Sequence, residues 1–195
     1  MGMVAVQLSI RHEAVLHELV GIFLRDGFSD LNLADLAGRL HCSKSTLYAV
    51  APSKEQLVTA VVRRFFRRAA DRVEASLDAV GTPSERLFTY LTAISEELAP
   101  ASSEFFADLD AFAPAREIYS ANTKIAAQRV QDLVADAMSV EGGGPNAAFV
   151  GAVAGHVMEA IHRGEIEAET GLDDSAAYRQ LAELIVSGFP DPAGR

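Results

Sequence analysis

Cysteine is almost missing from this chain of 195 residues: Cys42 stands alone, so no internal disulfide can form. That suits a reducing compartment, and a cytoplasmic location is expected. Long apolar runs are missing as well. No stretch reaches the ~18 uninterrupted apolar residues of a membrane span, so no membrane partner is expected. The start, MGMVAVQLSIRHE, lacks the basic region and apolar core of a secretory signal. Strand-like alternation bounded by hairpin turns is absent, as are internal repeats and low-complexity tracts. The chain also lacks paired cysteine ligands, a Gly-x-Ser-x-Gly elbow and a phosphate-binding glycine loop. No catalytic residue, enzymatic activity or cofactor is therefore expected.

What the chain does have is ordinary globular material, 49% hydrophobic and 23% charged, enough for a sizeable core without disulfides or metals. Its formal charge of −10 hides an asymmetry. Through residue 72, ten Lys and Arg stand against seven Asp and Glu, a net of +3; after it, seven stand against twenty, a net of −13. An acidic body repels DNA phosphates and the front segment does not. Acidic surfaces also simply keep proteins soluble.

Periodicity and punctuation predict an all-α chain of about nine helices. The first runs from about Ser9 to Asp26 with Leu16, Leu19, Val20 and Phe23 as its stripe, and Gly27 stops it. The second follows the Asn32 cap, with Asp35 three residues on. The third covers about Ser43 to Ala49, and Pro52 breaks the chain. Ser53-Lys54-Glu55-Gln56 opens a long fourth helix that Gly81 ends. Thr82-Pro83-Ser84-Glu85 opens the fifth, which ends near Pro100. A short helix from Ser103 to about Phe112 and a longer one from about Ala115 to Val140 follow. Gly142-Gly143-Gly144-Pro145 is the clearest loop. A helix rich in Ala and Gly then spans Asn146 to about Gly164, and the last runs from Asp173 to about Val186, stopped by Gly188 and Pro190.

The segment Asn32 to Lys54, NLADLAGRLHCSKSTLYAVAPSK, is the most informative. Two short amphipathic patterns flank a tight break at His41-Cys42. The second is too short to be stable in water by itself, so it needs a brace, and its polar side needs a use. A braced helix showing small polar and cationic groups is how a helix-turn-helix enters the major groove of DNA. Ser43, Lys44, Ser45 and Thr46 stand at the start of that helix, where hydroxyls, an ammonium and backbone N–H groups meet base edges or phosphates. Leu47 should point inward against Leu36 and Leu40. Tyr48, Asn32 and Lys54 are candidate backbone contacts. Similar helix pairs with a tight turn also occur in proteins that never touch DNA.

Ser45-Thr46-Leu47-Tyr48 followed by Ser53-Lys54-Glu55-Gln56-Leu57 resembles the N-terminal domain of the TetR-like (tetracycline-repressor-like) transcriptional regulators, over about residues 9–66. Two departures stand out. The family usually has Ala-Gly at the tight turn, where this chain has Leu40-His41. It usually has His or Tyr and then Phe after the Leu-Tyr pair, where this chain has Val50-Ala51. The resemblance implies a DNA-binding domain over residues 1–52 and a helical ligand-binding and dimerisation domain over 53–195. It also implies a palindromic DNA operator, a small-molecule effector that releases it, a repressor role, and a homodimer through the last two helices. A cavity among the back helices would take the effector, with Phe88, Phe105, Phe112, Tyr119 and Met158 as candidate lining. Core packing is the alternative for each.

Other features weigh less. Arg63, Arg64, Arg67, Arg68 and Arg72 are read as pairing with carboxylates such as Asp71 and Glu74 rather than with DNA. His156, Glu159, His162 and Glu165 recur every three residues, but each step drifts by about 60° round a helix. The four cannot converge on one ion, so no metal site is expected. Ala147, Ala148, Gly151, Ala152, Ala154 and Gly155 offer a close-approach face to a symmetry mate or to the same subunit, with Leu181, Leu184 and Ile185 on the final helix. An all-helical enzyme built around His156 or His162, or a helical dimerisation module without DNA, are the competing functions.

Overall fold

A computed structural model describes residues 2–78, 80–141 and 146–188; the expected Gly142–Pro145 loop and the Pro190 stop lie outside them. The described residues are all-α: α1 (Gly2–Asp26), α2 (Leu33–Arg39), α3 (Lys44–Val50), α4 (Lys54–Ala75), α5 (Pro83–Leu98), α6 (Ser103–Ala111), α7 (Ala113–Glu141), α8 (Ala147–His162), α9 (Glu165–Thr170) and α10 (Asp174–Val186). Ten helices replace the expected nine because Glu165–Thr170 forms a turn and a half between two left-handed glycines, Gly164 at φ +69° and Gly171 at φ +74°. That segment is too short and too polar to show an apolar period. α1 starts well before Ser9, since neither Gly nor Pro interrupts residues 3–20.

Two compact units emerge, residues 1–67 with 100–118, and residues 68–99 with 119–195. The expected cut at 52/53 lies between α3 and α4 and inside the first unit, whereas the division at 67/68 falls within α4.

In the first unit, α6 packs on α1. The Ser102 N–H donates to the Leu24 carbonyl at 2.8 Å. Phe105 joins the rings of Phe28 and Phe65 edge-on, at centroid separations of 6.2 and 5.7 Å, a favoured aromatic geometry. α1 ends at Gly27, whose φ of +69° suits a residue without Cβ. The Asp108 carboxylate on α6 then accepts the N–H of Phe28 and, at 2.8 Å, that of Ser29. α6 thereby holds the loop that feeds α2.

In the second unit, α5 lies along α10. Ser95, fully buried, donates its hydroxyl to the Ser175 carbonyl at 2.7 Å. Gly151 and Gly155 of α8 lie against Gln131 and Ala127 of α7; a Cβ at Gly151 would stand 2.6 Å from the Gln131 Cβ. Part of the small-residue face thus packs inside one subunit. Ala148, Phe149 and Ala152 remain exposed, as does Leu184, while Leu181 and Ile185 are buried.

Arg64 and Arg72 of the arginine cluster find carboxylates other than the Asp71 and Glu74 expected. Arg64 pairs with Glu13, Arg72 with Glu97 at 3.0 Å, and Glu74 with Arg129 at 3.0 Å. These partners come from distant helices, which spacing along one helix does not reveal.

Candidate functional site

Local chemistry builds the helix pair at α2 and α3. The Asn32 side chain accepts the N–H groups of Ala34 (2.8 Å) and Asp35 (3.1 Å), and the Asp35 carboxylate accepts the Asn32 N–H, closing a capping box. Leu36 and Ala37 are buried. The turn closes through Leu40 N–H to Leu36 O at 3.0 Å and Cys42 N–H to Ala37 O at 2.9 Å. His41 sits at φ +48°, in the left-handed region that glycine occupies more easily. Ser43 then caps α3, accepting the Thr46 N–H at 3.2 Å, and its hydroxyl also meets those of Ser45 (2.7 Å) and Thr46 (3.0 Å).

Leu47 is 1% exposed and Tyr48 52%. One residue anchors the helix and its neighbour projects from it. Lys44 and Ser45 are also exposed, and no acidic residue occurs from Leu40 to Pro52. Lys54 differs from them: its Nζ donates to the Ser29 carbonyl at 2.7 Å. The outer edge of α3 is thus a short uncharged-to-cationic strip of hydroxyl and ammonium donors on a buried leucine.

No family model matches the chain, and no curated protein matches it. Solved structures do. A TetR-family transcriptional regulator from Agrobacterium tumefaciens superposes with a TM-score of 0.69 at 15% identity, over 94% of this chain and 100% of that one. The chain has the TetR-regulator fold. A protein described as a transcriptional regulator from Saccharomonospora viridis, in complex with choline, gives 0.70 at 16% identity over 91% and 96%. FadR, a transcriptional regulator from Bacillus subtilis in complex with stearoyl-CoA, gives 0.63 at 13% identity over 90% and 98%.

Within this TetR fold the five candidate lining residues divide. Phe105 and Phe112 belong to the first unit. Phe105 is core, and Phe112 lines a hollow of about 260 Å³ with Phe28, Ser29, Lys54, Glu55 and Val58. Phe88, Tyr119 and Met158 belong to the second unit. Phe88 is exposed on an open groove of about 530 Å³ beside Val80, Ser84, Thr89 and Val186. Met158 and Tyr119 are buried.

Tyr119 is the centre of a polar group that the sequence did not disclose. Its ring meets His162 edge-on at a centroid separation of 3.8 Å, and the equally buried phenol of Tyr178 acts on it electrostatically. Burial pushes the ionisation of both phenols up. Asp174, one turn before Tyr178, has its carboxyl pushed up to about 7, by burial first and then by the Glu167 and Asp173 carboxylates. The first turn of a helix normally favours a carboxylate; desolvation outweighs that here. The sign follows. Above pH ~4 an unfolded Asp174 is ionised, whereas the folded one holds its proton up to about pH 7. Stability from this group is intact below pH ~4 and is lost as pH rises through 7. Asp174→Asn should remove that slope: in thermal melts, the Tm difference, variant minus wild type, grows from pH 4 to 7.5. A constant difference would show that Asp174 titrates normally.

His156 is exposed, Glu159 and Glu165 both pair with Arg163, and among the described residues no three His, Cys, Asp or Glu side chains gather as metal ligands. None of the described helices is long and apolar enough to cross a membrane.

Proposed function

We propose that the chain is a ligand-responsive transcriptional regulator of the TetR family, acting as a repressor that binds a palindromic operator as a homodimer and leaves it when a small molecule binds. The observation that carries this reading is the pairing of buried Leu47 with exposed Lys44, Ser45 and Tyr48 on a seven-residue helix behind a closed turn. Such a helix has no independent stability, and the fold gives it a brace and an open edge. Asn32 and Ser43 serve first as caps, Thr46 gives its N–H to the Ser43 hydroxyl, and Lys54 holds the α1–α2 loop. The exposed Phe149, Ala152 and Leu184 on α8 and α10 supply the apolar face for a symmetric partner. Two copies then present α3 helices one DNA turn apart, ~34–36 Å. The choline and stearoyl-CoA complexes of the two neighbours support a small-molecule effector.

The buried polar group at His162 is what an enzymatic reading would ask for. It holds two tyrosines and a carboxyl, with no serine or cysteine nucleophile among them, so the regulator reading is preferred.

The test is a gel shift with DNA from upstream of the chain's own gene. Wild type should bind with a steep loss of affinity as salt rises. Lys44→Ala should weaken binding by about ten-fold, the effect of one lost charged contact, and should flatten the salt slope by about one. Tyr48→Phe should weaken binding less. Both should melt like wild type, since both side chains are exposed. Wild-type affinity in both variants would remove these contacts, and no shift at low salt would remove the regulator reading.

A further inference from the structure

Ser29 is held at both of its backbone polar groups by side chains from other helices. Its N–H goes to the Asp108 carboxylate of α6 at 2.8 Å, and its carbonyl takes the Lys54 Nζ of α4 at 2.7 Å. Nearby Phe28 and Leu31 are buried. Ser29 stands three residues before Asn32, the cap that opens α2. Three residues of chain span at most about 11 Å, so the position of Ser29 limits where α2 begins. α3 follows α2 through the closed turn, in which Cys42 donates to the Ala37 carbonyl at 2.9 Å.

Lys54 is poorly placed for α4 itself. It is the first residue of that helix, where unpaired N–H groups and the helix dipole disfavour a cation. Its charge therefore answers to something outside α4. Two acceptors compete for it, a DNA phosphate and the Ser29 carbonyl. The side chain is half-buried, unlike exposed Lys44. It lines the hollow beside Phe28 and Val58, and its ammonium ends on Ser29. Turning that ammonium out to a phosphate would release the loop from α4. We propose that Lys54 is a positioning residue for DNA recognition, which fixes the start of the helix pair through the Ser29 carbonyl and makes no phosphate contact. Its effect on DNA rests on the regulator reading; the tether to Ser29 does not.

The experiment uses the full chain and compares Lys54→Met, which keeps an apolar stem and removes the charged donor, with Lys44→Ala. Gel shifts on the upstream DNA are run across a range of salt. Lys54→Met should lower affinity about three- to ten-fold, the weight of one hydrogen bond. The slope of log affinity against log salt should stay as in wild type, because no counterion-releasing contact is lost. A lysine on a phosphate takes about one from that slope, as Lys44→Ala is expected to do. Lys54→Met should melt close to wild type, since the cation it removes opposes the α4 dipole. A second arm needs no DNA. In the free protein, the amides of residues 30–36 should exchange with solvent several-fold faster in Lys54→Met and at the wild-type rate in Lys44→Ala. The proposal is overturned if Lys54→Met flattens the salt slope by about one, if it binds DNA as wild type does, or if exchange at residues 30–36 is unchanged. Wild type that shifts no DNA at low salt would sink the regulator reading and with it the role in recognition, while faster exchange in Lys54→Met would still retain the tether.

Discussion

Leu47→Ala should abolish operator binding while the rest of the chain stays folded. Leu47 is 1% exposed and is the buried residue of the seven-residue α3. A Leu→Ala change at such a site costs about 2–5 kcal/mol. A native domain has about 5–15 kcal/mol in total, so the loss is not expected to unfold the first unit outright. It falls on the element least able to bear it, because a helix this short is held by its anchor and not by its own hydrogen bonds. Undocked, α3 no longer presents Lys44, Ser45 and Tyr48 on one rigid edge. The check has two parts: urea melts, to size the destabilisation, and gel shifts at a temperature where the variant is still folded. Leu47→Met, similar in volume, should cost less than about 1.5 kcal/mol and keep binding. Wild-type DNA affinity in Leu47→Ala would mean that α3 is not the reading helix.

The helix pair was legible in the sequence because its determinants are local. Asn32, Asp35 and Ser43 are caps acting within three residues, and the Leu36–Leu47 pattern fixes which sides are buried. Thr82 with Glu85 was legible for the same reason, and its capping box forms with bonds of 3.3 and 3.1 Å. What stayed hidden depends on partners far along the chain. Asp108 reads as one more surface carboxylate until folding brings it to the N–H groups of Phe28 and Ser29, about eighty residues away. Asp174 reads as a helix-start residue beside the Asp173 cap; its burial is a tertiary fact. Lys54 shows the intermediate case. Its position after Ser53 was clear, but its bond to the Ser29 carbonyl was not. The arginines of α4 make the same point, since Arg64 and Arg72 reach α1 and α5 rather than their own helix. Local chemistry therefore disclosed the helix pair, and long-range packing built the polar group around Tyr119.

Gly27→Ala should be the most damaging single-methyl change in the first unit, and Gly164→Ala shows why. Both glycines have φ of +69°, so both variants incur the left-handed strain of an L residue, about 1–2 kcal/mol. Around Gly164 a new Cβ meets nothing within 4 Å; at Gly27 it would stand 2.5 Å from the Asp108 Oδ2 and 3.3 Å from the Glu104 backbone oxygen. Asp108 cannot retreat without releasing the two N–H groups it accepts, and a hydrogen bond to a charged group contributes about 1.5–3 kcal/mol. α6 cannot retreat easily either, because Ser102 is bonded to Leu24 and Phe105 is packed on Phe28 and Phe65. Gly27→Ala should therefore cost about 3–5 kcal/mol against about 1–2 for Gly164→Ala, read as the difference in urea midpoint at constant m-value. Operator affinity should fall too, because the Ser29 carbonyl that receives Lys54 belongs to the displaced loop. Equal losses in the two variants would mean that backbone strain alone decides, and that the grip of Asp108 on the α1–α2 loop carries no weight. In that case Asp108→Ala should also be silent. If the grip is real, Asp108→Ala should destabilise the chain by itself and soften the penalty of Gly27→Ala in the double variant, since the atom that the new methyl strikes is then gone.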